Sequence, residues 1–230
     1  MPEKRKGADR LLGLIAAFQM NGMGFAPLPS MPRKKLTYTS QFPYHVMARS
    51  NNREWFYIRQ SDLWDIFCGH LNSIALQYKI MLHGFVLMNN HYHMLVTTHD
   101  SFNLGEVMCR FQTSVSRTVN KYSGRTNHVF GGGYKGCLID NATYFLNVYK
   151  YIFRNPIDAG ITSRVEDYAY SSLVRASDLP LVTLTEAIAE QVPYKNIIDW
   201  INDDRFDLNK EGIKKGLHKT KFKPVISRSY

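Results

Sequence analysis

Ile80 to Met88 is a nearly continuous apolar run, Asn89-Asn90 interrupts it, and Tyr92 to Thr98 resumes in β-branched and aromatic residues. Two runs of strand length joined by two turn-forming residues read as an antiparallel hairpin. So apolar a hairpin must be covered, and its flanks supply cover in a definite order. Pro43 to Ser50 alternates, with Tyr44, Val46 and Ala48 on one side and His45, Met47 and Arg49 on the other, as a half-buried strand does. It ends in the polar turn Ser50-Asn51-Asn52-Arg53. From Ser61, read as an N-cap, Leu63, Phe67, Leu71, Ile74 and Tyr78 recur at helical spacing. Beyond the hairpin, Leu104, Val107, Met108, Phe111, Val115 and Tyr122 mark a second helix closed by Ser123-Gly124. After the Gly131-Gly132-Gly133 bend, Tyr134 to Ile139 makes a fourth strand. Strand, helix, strand, strand, helix, strand is the ferredoxin-like βαββαβ arrangement of an α+β protein: an antiparallel sheet with two helices on one face. The other face is expected to be free. A third helix starts near Asn141 and is expected to stop near Asn155, because Pro156 disfavours helical geometry in the residue before it.

The third helix and the hairpin carry the polar groups that stand out. On a strand alternate side chains share a face, so His91, His93, Leu95 and Thr97 point one way and the core-forming Tyr92, Met94 and Val96 the other. Two imidazoles about 7 Å apart along one strand can close on a single cation. With 8 histidines in 230 residues, chance supplies such a pair roughly 0.3 times, so the pair needs company. At about 100° per residue, Tyr144, Tyr151 and Asn155 share one helix face while Tyr149 lies elsewhere. Phe145, Val148, Tyr149, Ile152 and Phe153 form the stripe that presses the helix onto protein, which leaves Tyr151 and Asn155 at its edge, able to face the histidines.

Charge names the kind of partner. Lys and Arg number 29 against 19 Asp and Glu, a net +10, the balance of a protein that holds polyanions. Cys68, Cys109 and Cys137 are too few and too widely spaced for a disulfide framework or a zinc ribbon, which suits a reducing cytoplasm. No run of about eighteen apolar residues is present, so no membrane-spanning helix is expected. Residues 1–30 read as an N-terminal extension. Lys4 to Arg10 before Leu11 to Phe18 faintly resembles a signal peptide, but Gln19 to Met23 interrupts it without a cleavage site, and Met31-Pro32-Arg33-Lys34-Lys35 would itself make a natural start. Residues 31–175 read as the functional domain and 176–230 as an accessory segment. That segment holds an apolar stretch around Leu181 to Val192 and, from Lys210, a basic tail with Lys214, Lys215, Lys219, Lys221, Lys223 and Arg228, expected to be a flexible arm.

The run from Phe85 through Asn89-Asn90-His91-Tyr92-His93 to Val96 resembles the signature strand of the HUH single-tyrosine transposases, particularly the REP-associated tyrosine transposases. Tyr44-His45-Val46 through Arg53 resembles that family's first strand and turn, and His128-Val129-Phe130 through Tyr134-Lys135 the approach to its fourth strand. Tyr151-Ile152-Phe153-Arg154-Asn155-Pro156 with Asp158-Ala159-Gly160 resembles the catalytic tyrosine segment, and Asp167-Tyr168 with Ser171-Ser172 the motif after it. Asn89 stands where proline is usual, which a turn accommodates. Phe130-Gly131-Gly132-Gly133 replaces a more polar, often tryptophan-containing pattern, so the resemblance carries the family's substrate contacts over less closely there.

The resemblance implies metal-dependent nicking and strand transfer of single-stranded DNA. His91, His93 and Asn155 would hold Mg²⁺ or Mn²⁺. Tyr151 would attack the phosphate to give a 5′-phosphotyrosine and a free 3′-hydroxyl, on hairpin-forming repeats, as monomer or homodimer. Arg49, Asn52, Arg53 and Lys135, together with the tail lysines, are the candidates for DNA contact. Two other classes compete: a non-catalytic nucleic-acid-binding module on the same sheet, and a metal-dependent hydrolase using water. No carboxylate stands in an obvious position to activate that water.

Overall fold

Four strands, β1 (Tyr44–Arg49), β2 (Met81–Leu87), β3 (His91–Thr97) and β4 (Lys135–Leu138), pair antiparallel in the order β2-β3-β1-β4. This is the sheet expected from the order of elements. The computed structural model describes residues 36–181, 192, 196–205 and 210–223; the expected extension over 1–30 lies outside them, as does nearly all of the apolar stretch after Leu181. Helices α1 (Gln60–Tyr78) and α2 (Leu104–Ser123) cover one face, where Phe67 and Phe111 meet Tyr92 and a core containing Val46, Met94 and Val96. Burying each such side chain contributes about 1.5–3 kcal/mol. Asn103 caps α2 by accepting from the Glu106 N–H (2.9 Å), and Gly124, at φ 70°, closes it in the left-handed region that glycine adopts without cost. Ser61 is not a cap: α1 starts at Gln60, after Arg59, with no side-chain cap.

The second face, expected to be free, is covered. Helix α3 (Ala142–Asp158) lies across it, burying Val148, Ile152 and Phe153 with Val86, Leu95 and Cys137. Gly84 permits the approach: a Cβ there would stand 3.1 Å from both Ile152 Cδ1 and Phe153 Cζ. Helix α3 does not stop at Asn155 but runs through Pro156 to Asp158. Behind it sit α4 (Ile197–Asn202) and α5 (Lys210–Gly216). Arg154 Nη1 donates to the carbonyls of Ile201, Asn202 and Asp203 at the end of α4, where a cation complements the helix dipole.

Both sheet edges are occupied, which denies other chains a pairing template. Along β2, the Leu87 N–H donates to Tyr170 O (3.0 Å), and Phe85 exchanges bonds with Ser172. Along β4, Leu138 donates to Thr220 O (3.0 Å) and accepts from the Phe222 N–H (2.9 Å). Residues 210–223 of the basic tail are therefore docked rather than a loose arm. Ile213 and Phe222 are buried in the second core, and Lys221 pairs with Asp140. Residues 224–230 lie outside the described part.

Candidate active site

The two histidines of β3 do not reach open solvent together. His93 is 4% exposed beneath α3, and His91, the first residue of the strand, is half-buried. Their rings lie 5.1 Å apart between centroids. Each has one nitrogen committed. His91 Nδ1 donates to Asn90 Oδ1 (2.7 Å), and His93 Nδ1 is bonded to His45 Nε2 (2.8 Å), which leaves Nε2 of both as the nitrogens open to a ligand. Burial drives the histidine pKa values down: to about 4 at His91, where the Arg49 charge adds to it, and well below the ordinary range at His93, where His45, His91 and Arg49 add. Both rings are neutral at physiological pH, the state in which imidazole binds metal.

Helix α3 brings Tyr151 over this pair. Its ring stands edge-on to that of His93 at a centroid distance of 6.0 Å, and both line one cleft of about 440 Å³ with His45, His91, Arg49 and Asn155. The Tyr151 phenol is pushed up to about 12, by burial first and by Asp158 and Glu211 next, with Arg49 opposing. Ionising it at pH 7 costs roughly 7 kcal/mol, so the free side chain is a protonated phenol. Asn155 donates its amide to the carbonyls of Tyr151 (2.9 Å) and Ile152 (3.2 Å), which leaves its oxygen as the atom it can offer the cleft. Tyr144, on the same face in helical projection, instead packs against Phe222 at 5.1 Å.

Of the four proposed DNA contacts, Arg49 and Lys135 line the cleft. Arg49 faces His91 across the β1–β3 pair, and its Nε is buried with no hydrogen-bond partner among the described residues. Asn52 and Arg53 are exposed on the turn beyond β1, at φ 54° and 61°, and do not line the cleft; Asn90 ties the turn down by donating to Arg53 O (2.8 Å). His45 is the residue that sequence reasoning missed. It is 4% exposed and stacked on His93 at 5.1 Å, and burial, with His218 adding, pushes its pKa down to about 3. The alternation of β1 already placed it on the face it uses. A second correction concerns carboxylates: Asp158 and Glu211 both reach the cleft, Asp158 paired with Lys210.

Among the described residues no three His, Cys, Asp or Glu side chains converge as a metal cluster. The donors on hand are two neutral imidazoles and one amide oxygen. Such a set fits Mg²⁺ or Mn²⁺ when phosphate and water oxygens supply the remaining positions, since these ions favour oxygen and tolerate imidazole. None of the described helices is long and apolar enough to cross a membrane.

No curated protein matches the chain by sequence. The fold is similar to that of a REP-associated tyrosine transposase solved bound to a REP hairpin, at 14% identity over 66% of this chain and 88% of that one, with a TM-score of 0.52. A protein from Deinococcus radiodurans R1 described as a transposase aligns at 15% identity over 52% of this chain and 92% of its own, with a TM-score of 0.37, too distant for its details to bear on this site. Residues 38–155, just over half of the chain, match the model of the IS200-like transposases, and the chain belongs to that family.

Proposed function

We propose that the chain nicks and rejoins single-stranded DNA through Tyr151, with His91, His93 and Asn155 holding a divalent cation. The observation that carries this reading is the Tyr151 ring standing 6.0 Å from that of His93 in one cleft. Arg49, which lines the cleft beside His91, brings a guanidinium suited to a phosphate oxygen, and Lys135 adds a second cation at the rim. A bound Mg²⁺ or Mn²⁺ would polarise the scissile phosphate and offset charge on both the attacking and the leaving oxygen. The Tyr151 hydroxyl attacks phosphorus, its Oη–P bond forms as the P–O3′ bond breaks, and a proton ends on the departing 3′-hydroxyl. One phosphodiester replaces another, so attack by a hydroxyl in the reverse sense rejoins DNA without a nucleotide cofactor.

His45 acts through its neighbour by fixing the His93 ring so that Nε2 stays bare. The hairpin in the neighbouring structure supports hairpin-forming DNA as the substrate. Tyr151, His91, His93 and Asn155 of the same chain line one cleft, an arrangement suited to action in cis.

Incubation with labelled single-stranded hairpin DNA and Mn²⁺ is expected to give an adduct that survives denaturant and disappears with chelator. Tyr151→Phe is expected to form none while still binding the DNA. An adduct undiminished by that change puts the nucleophile elsewhere. Free ends released by the Phe variant favour the water-using hydrolase, for which the cleft offers Asp158 or Glu211 as the base.

A further inference from the structure

Nicking through Tyr151 needs a proton delivered to the departing 3′-oxygen, because an alkoxide leaves poorly at neutral pH. Most of the cleft cannot supply it. His45, His91 and His93 are neutral rings, each with a nitrogen committed to a neighbour. A guanidinium does not release its proton, which sets Arg49 aside. Of the lysines lining the cleft, Lys210 is engaged by Asp158 and Lys214 by Glu211 (3.8 Å), which leaves Lys135 at the rim.

A fourth histidine, His218, lines the same cleft from the docked tail. It is exposed where the other three are buried or half-buried, and its ring makes no hydrogen bond among the described residues, so both nitrogens can meet a substrate. Exposure does not make it loose. Helix α5 ends at Gly216, where the chain folds back so tightly that a Cβ would stand 2.8 Å from Phe222 Cε2 and 2.9 Å from Lys223 O. The N–H groups of Leu217, His218 and Lys219 donate to the carbonyls of Ile213, Lys215 and Gly216, and Thr220 and Phe222 then bond Leu138 along the edge of β4. Gly216 O lies 3.7 Å from Cys137 Sγ, and Cys137 pairs with His45 across β4 and β1. The bend is thus held beside His45, near enough for His218 to add to the lowering of the His45 pKa. Imidazole is the side chain that most often gives and takes protons in catalysis.

We propose that His218 is the general acid of strand cleavage. As the Tyr151 Oη–P bond forms and the P–O3′ bond breaks, the His218 imidazolium gives its proton to O3′, and the tyrosine proton passes to water. In the rejoining direction the neutral ring takes a proton from the attacking 3′-hydroxyl. The proposal rests on the reading of the cleft as a DNA-nicking site, and it gives the tail a chemical role beyond its charge.

The test compares two DNAs under single turnover with Mn²⁺: an ordinary hairpin substrate, and the same DNA with sulfur in place of the bridging 3′-oxygen at the position that wild-type protein cleaves. A thiolate, the anion of a much stronger acid than an alcohol, leaves without being protonated. His218→Ala, which removes an exposed side chain with no hydrogen bond among the described residues, is expected to slow adduct formation on the oxygen DNA about a hundredfold. On the sulfur DNA it is expected to match wild type. His218→Gln, which keeps a polar side chain but cannot transfer a proton, is expected to behave as His218→Ala does. Lys135→Ala is expected to slow both DNAs alike. A His218→Ala protein slowed equally on both DNAs, or on neither, overturns the proposal, and so does a sulfur rescue seen for Lys135→Ala alone. Wild-type protein that forms no adduct with either DNA overturns the nicking reading itself, an outcome distinct from the absence of an oxygen-selective defect.

Discussion

Pro156 has no N–H to give the carbonyl of Ile152, four residues earlier in α3, and an unsatisfied carbonyl there should weaken the helix. Asn155 supplies the missing donor from its side chain, bonding Ile152 O at 3.2 Å and Tyr151 O at 2.9 Å. The same two bonds commit the amide nitrogen and leave the oxygen for the cleft, so the proline and the candidate metal ligand form one unit. Asn155→Ala is expected to cost about 0.5–1.5 kcal/mol of stability, besides its effect on catalysis, because Ile152 O is left unpaired. In a Pro156→Ala background the new backbone N–H takes that carbonyl and the cost should shrink toward zero. Denaturant unfolding of the four proteins of this cycle measures the coupling, and equal costs in both backgrounds would show that the side chain is not replacing the proline's absent donor.

Helix α3 is the element on which the site depends, because it alone carries Tyr151 and Asn155 to histidines fixed on β3. Its height above the sheet is set by Gly84, at the irregularity in the β2–β3 register, where Ile152 and Phe153 take the space of a side chain. Gly84→Val should force these two residues outward. The expected result is a loss of about 1–3 kcal/mol in unfolding free energy, as overpacking gives, and a further loss of adduct formation at temperatures where the variant is still folded. Retained activity in a destabilised but folded variant would mean that the Tyr151 position tolerates the shift. The βαββαβ order, the histidine pair and the Tyr151–Asn155 face could be read in advance because each rests on local periodicity. Which surface receives an apolar stripe is a tertiary matter, so the cover that α3 gives to the second sheet face could not. His45 escaped notice for a related reason: its role arises across two strands, in the pairing of β1 with β3. The tail misled because its lysines outnumber the apolar Ile213, Leu217 and Phe222 that dock it.

At the scale of the molecule, a net charge of +10 says that polyanions are attracted but not where they lie. The ion pairs sort the cations. In the cleft, Lys210 is engaged by Asp158 and Lys214 by Glu211 (3.8 Å), whereas Arg49 and Lys135 have no carboxylate partner among the described residues. Exposed pairs are worth little to stability, but they decide which charges must be separated before a phosphate can be met. On the proposed reading, Arg49 and Lys135 would each release a counterion from bound single-stranded DNA. Lys210 must first give up Asp158, and removing it uncovers a negative charge beside the strand. Binding isotherms for the Tyr151→Phe protein across a salt series are therefore expected to show a log Kd against log salt slope that falls by about 0.7 in magnitude for Arg49→Gln and again for Lys135→Gln. Lys210→Gln should leave the slope where it was while weakening binding at every salt concentration, because the change adds a repulsion and leaves the number of neutralised phosphates the same. Equal slopes in all four proteins would place the DNA backbone outside this cleft.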